Sequence, residues 1–221
     1  MLEETFEARE RSVPLSGRFD PRFEGVVEAF RERLGAELVY RRLDENTGGS
    51  GGFSEGMRVA YELGSTWIWL MDDDVEVLPD GLAKMGAWAP RFKSIQGRRY
   101  DFDGSEFYWQ YRVAEPLAIP IPFAPSGFDE SGYKEMNSGC FEGMFIHRDI
   151  VGQIGLPDPR FFIYWDDQTY GWLASRITRS VIVNEFVLRR TREIKQAPLL
   201  GRGASEERLV GEQGGTERVP R

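Results

Sequence analysis

Carboxylates at fixed spacing carry most of the chemistry written into this chain. An apolar run, Thr66-Trp67-Ile68-Trp69-Leu70-Met71, ends on three consecutive acids, Asp72-Asp73-Asp74. Side chains alternate along an extended segment, so Asp72 and Asp74 point one way and Asp73 the other. Such a pair can share one hard cation; the alternative is a polar strand-to-turn junction, where acids are common. A second apolar run, Phe161-Phe162-Ile163-Tyr164-Trp165, delivers Asp166-Asp167. Desolvation by Tyr164 and Trp165, with repulsion between the neighbours, would raise one carboxylate into the range of a general base. The competing role is a cap on the helix expected to follow through Ile177.

The third feature is a glycine-rich stretch, Asp44 to Gly52, ahead of a predicted helix. Gly48-x-Ser50-x-Gly52 has the form of a nucleophile elbow, and Ser50, Asp72 or Asp74, and His147 follow in hydrolase triad order. An elbow, however, needs its serine directly at a strand end, and Ser50 lies several residues beyond Leu43. No Gly-Lys-Ser/Thr follows for a Walker loop, and a dinucleotide frame starting at Gly49 finds Ser54 where glycine is required. A calcium loop starting at Asp72 fails at Val77 and Ala83. A phosphohydrolase built on the same acids would need Thr or Val where Glu76 stands. A backbone-amide cradle for a diphosphate and a plain glycine turn both remain. His147, between Met144-Phe145-Ile146 and Arg148-Asp149, is expected to be structural rather than a ligand.

These groups need a scaffold, and hydrophobic periodicity outlines one. Phe23, Val26, Val27, Phe30 and Leu34 mark an amphipathic helix, Glu37–Leu43 a short strand, and Phe53, Met57, Ala60 and Tyr61 a second helix stopped by Gly64. Trp67–Met71 is then a strand buried on both faces, placing its acids at the carboxyl edge where open α/β sheets bind ligands. Pro79–Met85 reads as a helix and Val181–Leu188 as a strand. Between them, residues 100–139 look irregular, with Pro116, Pro120, Pro122 and Pro125. The aromatics Phe107, Tyr108, Trp109 and Tyr111 in that region suit a substrate-facing loop or buried packing equally. At 221 residues and 41% hydrophobic content, one main domain with a sizeable core is expected. The net charge of −8 disfavours nucleic acid, and an anionic substrate would need local compensation. Cys140 stands alone, which excludes an intramolecular disulfide. Neither a transmembrane-length run nor a secretory signal is evident, so a cytoplasmic location is expected.

Taken together, Asn46-Thr47-Gly48-Gly49-Ser50-Gly51-Gly52-Phe53, Trp69-Leu70-Met71-Asp72-Asp73-Asp74 and Phe162-Ile163-Tyr164-Trp165-Asp166-Asp167 resemble family 2 glycosyltransferases of the GT-A fold. The likeness is greatest to galactofuranosyltransferase-like and capsular or rhamnosyl-type members, and covers roughly residues 37–195. It implies an α/β protein with a Rossmann-like mixed sheet flanked by helices, preceded by a charged segment at 1–36 and followed by a disordered tail at 196–221. It further implies that Asp72 and Asp74 hold Mg2+ or Mn2+ on the diphosphate of a UDP- or dTDP-sugar. Asp167 becomes the base and Asp166 orients the acceptor, while Asn46, Gly48, Gly49, Gly52 and Asp73 lie near the donor. The implied partner is a glycan or lipid-linked saccharide acceptor, reached at the periphery of the inner membrane face. Oligomeric state is left open. Two departures stand out. Residues 1–36 lack the strands that hold the nucleobase in such enzymes, so the core is expected to be incomplete at its N-terminus, and no histidine follows Asp167 as a third metal ligand. A truncated, catalytically impaired homologue that only binds sugar, metal or a partner is therefore the alternative.

Overall fold

The computed structural model describes residues 38–107, 111–117, 119–122 and 127–193, nearly all within the first of two compact units, which runs to Thr191. The expected helix at Phe23–Leu34, the rest of segment 1–36 and the tail at 196–221 lie outside the described residues. In chain order the elements are α1 (Gly48–Glu62), β1 (Trp67–Trp69), β2 (Val75–Val77), α2 (Gly81–Trp88), β3 (Ser94–Tyr100), β4 (Glu106–Phe107), β5 (Tyr111–Ala114) and β6 (Ile119–Pro122). They continue with β7 (Tyr133–Met136), β8 (Met144–His147), α3 (Arg148–Ile154), a 3-10 turn (Pro159–Phe161), α4 (Asp166–Ser175) and β9 (Ser180–Arg190). No helix among the described residues is long and apolar enough to cross a membrane.

The sheet is mixed, as expected, and runs in the order β1-β8-β3-β9-β2, with β4 added to β3 and β7 to β9. β3 and β9 pair in parallel, from Ser94 opposite Ser180 to Tyr100 opposite Arg189, and the other pairings are antiparallel. Parallel strands finish at the same edge, so Arg99 and Arg190 emerge together. Alternation along β8 explains the layering. Met144 and Ile146 join Phe53, Met57, Ile68, Ile150, Val151 and Tyr170 in one apolar cluster that packs α1, α3 and α4. Phe145 points the other way, into a cluster with Met85, Ile95, Val181, Val187 and the α2 side. A sheet with apolar side chains on both faces must be covered by helices on both.

Several elements differ from the sequence expectation. Residues 38–43 form no strand; a strand requires a ladder, and among the described residues β1 pairs only with β8. β1 is three residues long rather than five, and only Ile68 in it is buried. Its tryptophans are instead half-covered by aromatic contact, Trp67 stacking on Phe145 with ring centroids 4.5 Å apart. Only residues 44–47 of the glycine-rich stretch are irregular, since α1 begins at Gly48. Residues 100–139 are not irregular throughout but carry β4 to β7. Strands of two to four residues are decided by their partners rather than by local periodicity. The prolines at 120 and 122 sit on β6, which pairs only with β5, the edge position that proline tolerates.

Ile146 is fully buried and stands in register with Ile68 on one side and Ser94 on the other. Ile146→Ala is expected to cost about 2–5 kcal/mol, read as a lowered urea midpoint at unchanged slope. A wild-type midpoint would remove this residue from the core.

Candidate active site

Asp72, Asp73 and Asp74 lie between β1 and β2, and the backbone fixes where they start. Leu70 N–H donates to the Met144 carbonyl at 2.9 Å and Gly143 N–H to the Leu70 carbonyl at 2.8 Å, so pairing with the β8 segment runs to the brink of the acids. Asp72 and Asp74 are half-buried while Asp73 is exposed, the pattern expected, but the acids lie past the end of β1, with Asp73 and Asp74 in a turn rather than on a strand. Asp74 is held at both ends. Its carbonyl accepts the Thr191 N–H at 2.7 Å and hydroxyl at 3.0 Å, and its Oδ2 accepts from Arg190 Nη2 at 2.9 Å. Burial pushes the Asp72 carboxyl up to about 7; Glu142 and Asp74 add to the rise and Arg99 opposes it.

Beneath these acids lies a buried cluster of charge. Glu142, 6% exposed, accepts from Arg190 Nη1 at 2.9 Å through Oε2, which also lies 3.4 Å from Arg99 Nη1. Arg99 in turn donates to the Glu142 carbonyl and to Cys140 Sγ, each at 3.1 Å. The Phe107 ring lies 5.1 Å from the Arg99 guanidinium and 4.7 Å from that of Arg190. This commits to the arginines a ring that the sequence offered as a sugar face; Tyr108 and Trp109 lie outside the described residues. Burial raises Glu142, and the two guanidiniums pull it back. Two atoms of the cluster, Glu142 Oε1 and Arg190 Nε, are buried without a hydrogen-bond partner among the described residues.

The second acid pair opens α4. Ahead of it Phe162, Tyr164 and Trp165 have φ of 60°, 70° and 69°, a left-handed backbone that strains a side-chain-bearing residue by about 1–3 kcal/mol each. Their side chains and those of Phe161 and Ile163 are all exposed. Neither acid is the N-cap. Trp165 holds that position without a side-chain bond, and both acids sit in the first turn, where the helix dipole favours their charge. Asp167 Oδ1 accepts the Gln168 N–H at 2.6 Å. Burial pushes Asp167 up to about 6 and Asp166 adds to this, against hydrogen bonds from Gln168 and the Cys140 thiol and the charge of Arg99. Burial raises Asp166 as well, with Ser50 among the groups opposing it. Cys140 stays a neutral thiol, pushed up to about 12 by burial. Arg99 and Cys140 thus feel both Asp72 and Asp167.

The glycine run acts mainly through close approach. Gly48 has φ of 69°, and a Cβ there would fall 2.0 Å from the Phe162 carbonyl oxygen. The Ser50 N–H donates to that same oxygen at 3.2 Å, and the Ser50 hydroxyl donates to the Asp158 carbonyl at 2.7 Å. Ser50 is fully buried, which removes the nucleophile alternative. Gly52 is buried inside α1, so of the expected donor residues only Asn46, Gly48, Gly49 and Asp73 retain exposure. The Gly48 N–H is taken by Asn46 Oδ1 at 3.1 Å, and Gly49 faces open space. His147 is structural, its Nδ1 accepting the Asp149 N–H at 3.2 Å to cap α3.

Among the described residues no group of three or more His, Cys, Asp or Glu is arranged to hold a metal unaided. Asp72 and Asp74 nevertheless fit the way Mg2+ is held on nucleotides, by one or two carboxylates with substrate phosphates and water completing the shell. The mutual repulsion that lifts Asp72 and the orphaned Glu142 Oε1 are what acids gathered for a cation would show. Glu142, Arg99, Arg190 and Cys140 were invisible as site residues in the sequence. The available signal was charge at the carboxyl ends of two strands, Arg98-Arg99 and Arg189-Arg190, which required knowing that the strands pair in parallel.

The approach of α4 to the loop before β8 holds Asp167 in place. A Cβ on Gly171 would lie 2.0 Å from Gly139 N and 2.4 Å from its Cα, backbone atoms that cannot yield. Gly171→Ala is expected to cost about 1–3 kcal/mol, read as a lowered melting temperature. An unchanged melting temperature would show that this contact is loose.

The Glycosyl transferase family 2 model matches residues 20–155, more than half of the chain, starting ahead of residue 37 and stopping short of Asp166. The galactofuranosyltransferase GlfT1 of Mycolicibacterium smegmatis is 62% identical over 148 residues, which is 61% of this chain and 46% of that protein. GlfT1 of Mycobacterium tuberculosis H37Rv is 28% identical over 130 residues, covering 55% and 41%. The chain therefore spans less than half the length of the curated relatives it matches. Among solved structures, GalNAc-T7 with UDP, GalNAc and Mn2+ is similar in fold, with a TM-score of 0.59 at 10% identity over 84% of this chain and 38% of that one. With a GT-A-like core beneath its two acid pairs, the chain belongs to glycosyl transferase family 2.

Proposed function

We propose that this chain carries the catalytic core of an inverting glycosyltransferase that moves a sugar from a nucleotide diphosphate to an acceptor hydroxyl. The observation supporting this most is one buried cluster that Asp74 joins through Arg190 and Glu142, and whose Arg99 guanidinium and Cys140 thiol are acted on by both Asp72 and Asp167. A divalent cation held by Asp72 and Asp74 would supply Lewis-acid stabilisation to the departing diphosphate. Asp167 takes the acceptor hydroxyl proton as the new bond to the anomeric carbon forms and the bond to the diphosphate breaks, which inverts that centre in one displacement. Asp166, beside it, orients the acceptor. Asn46 and the exposed edge of Gly49 border the donor, and the open faces of Tyr164 and Trp165 offer sugar stacking.

The GlfT1 relatives favour galactofuranose as the sugar, and the UDP of the GalNAc-T7 structure supports a nucleotide diphosphate as its carrier. A glycan or lipid-linked saccharide at the inner membrane face is the matching acceptor, with the chain working from the cytoplasm. Its low pI of about 4.9 leaves the anionic donor dependent on the cation and the site arginines.

A base must be unprotonated to act, and burial puts Asp167 at about 6. Transfer from UDP-galactofuranose is therefore expected to climb in kcat/KM as pH rises through about 6 and to level off above it. Asp167→Asn is expected to lower kcat about 10²- to 10⁴-fold while UDP binding persists. An activity that falls as pH rises through that range, or wild-type turnover by Asp167→Asn, would exclude the base. Asp72→Ala should abolish the Mn2+ response, and a well-folded protein with no Mn2+-supported turnover would leave only sugar binding.

A further inference from the structure

The metal-assisted reading leaves one cluster unused. Arg190 closes β9, and its guanidinium forms two bonds at 2.9 Å, one to Asp74 and one to Glu142. Glu142 lies close enough to Asp72 to be the leading charge acting on it. On its far side Glu142 meets Arg99, which reaches Cys140. The contacts thus run unbroken from Asp74 through Arg190, Glu142 and Arg99 to Cys140. A surface pair would be too mobile to position anything. Here Glu142 and Arg190 are each 6% exposed and Arg99 is 3% exposed, so the bridge is built into the interior.

We propose that Glu142 and Arg190 are positioning residues for the acid pair Asp72 and Asp74, holding the carboxylates in the arrangement that accepts a divalent cation on a nucleotide diphosphate. Arg190 fixes the Asp74 side chain from behind, and the Thr191 bonds next in the chain fix its backbone, so β9 grips this one acid twice. Glu142 holds Arg190 in turn and keeps two buried guanidiniums compensated. Neither residue needs to touch substrate. Glu142 Oε1 and Arg190 Nε have no hydrogen-bond partner among the described residues, with Asp101 Oδ1 3.9 Å from Nε, and water around an incoming cation would supply them. Outer partners of this kind typically set metal affinity by about 10- to 100-fold.

This inference rests on the metal-assisted reading, and one set of binding measurements separates the two. Free Mn2+ is followed by electron paramagnetic resonance as the full chain is titrated in the presence of UDP. Glu142→Gln and Arg190→Lys are each expected to weaken Mn2+ binding about 10- to 100-fold, with native circular dichroism and unchanged metal-free UDP binding. Glu142→Asp, which keeps the charge, is expected to recover part of the loss. Folded variants with wild-type Mn2+ affinity overturn the proposal. Should the variants not fold, the unaltered protein decides. The Arg190 Nε–H resonance is expected to shift when Mg2+ is added with UDP and to stay put with UDP alone, and an unmoved resonance overturns the proposal. Absence of Mn2+ binding by the wild type in the presence of UDP would sink the metal-assisted reading as well.

Discussion

One carboxylate, Glu142, sits between two guanidiniums inside the protein, and most of the architecture can be read as what that arrangement demands. Charges leave water only when paired and hydrogen-bonded, and removing one partner from a buried pair costs about 3–5 kcal/mol. Meeting that demand takes four separate pieces of chain. β3 supplies Arg99, the loop before β8 supplies Glu142, β9 supplies Arg190, and the turn after β1 supplies Asp74. The register between β3 and β9 shifts from Gln96 to Arg98 and again to Arg99, just where Arg99 turns inward. Such irregularities re-aim a side chain that strict alternation would send elsewhere. Gly97 lies within the shift, where a Cβ would fall 2.2 Å from Val187 Cγ2.

The two acid sets are prepared by different means. Asp72 and Asp74 follow a strand and are set by the ladder beside them, with their repulsion tempered by arginine. Asp166 and Asp167 follow a strained turn whose three left-handed residues swing an apolar segment into solvent and start a helix on its acids. Strain of this sort persists only when surrounding structure enforces it. Here the enforcement is visible: the first turn of α1 lies against Phe162 so closely that only glycine fits at position 48. The glycine stretch therefore shapes the turn from which Asp166 and Asp167 start, through the close approach of Gly48 and Ser50 to Phe162.

Both acid pairs, the structural place of His147 and the mixed α/β character were legible in the sequence because each rests on local pattern. Strand β9 was legible as an apolar run and α4 from its place after the second acid pair. What could not be read was decided between distant segments. Residues 38–43 have a strand-like composition but no ladder. β4 to β7 have ladders too short to leave a period. The strand-like run at Trp67–Met71 kept only its first three residues as strand, with Leu70 still bonded to Met144 and Gly143 beyond its end. Glu142 looked like a polar residue in a loop, and only the parallel pairing of β3 with β9 shows that two arginines await it there.

The bond between Asp74 and Arg190 joins residues 116 positions apart. A contact of that range rewards the chain only after everything between has been brought to order, because the entropy of closing the loop is spent first. β9 enters beside β3 with β7 and β2 along its other edge, so it finds its place only after those strands have been made. Asp74, which the sequence announces early, thus waits for a strand made much later to hold it. A nascent chain stopped before β9 already contains Asp72, Asp74, Glu142 and Asp167, yet lacks the Arg190 and Thr191 bonds that fix Asp74.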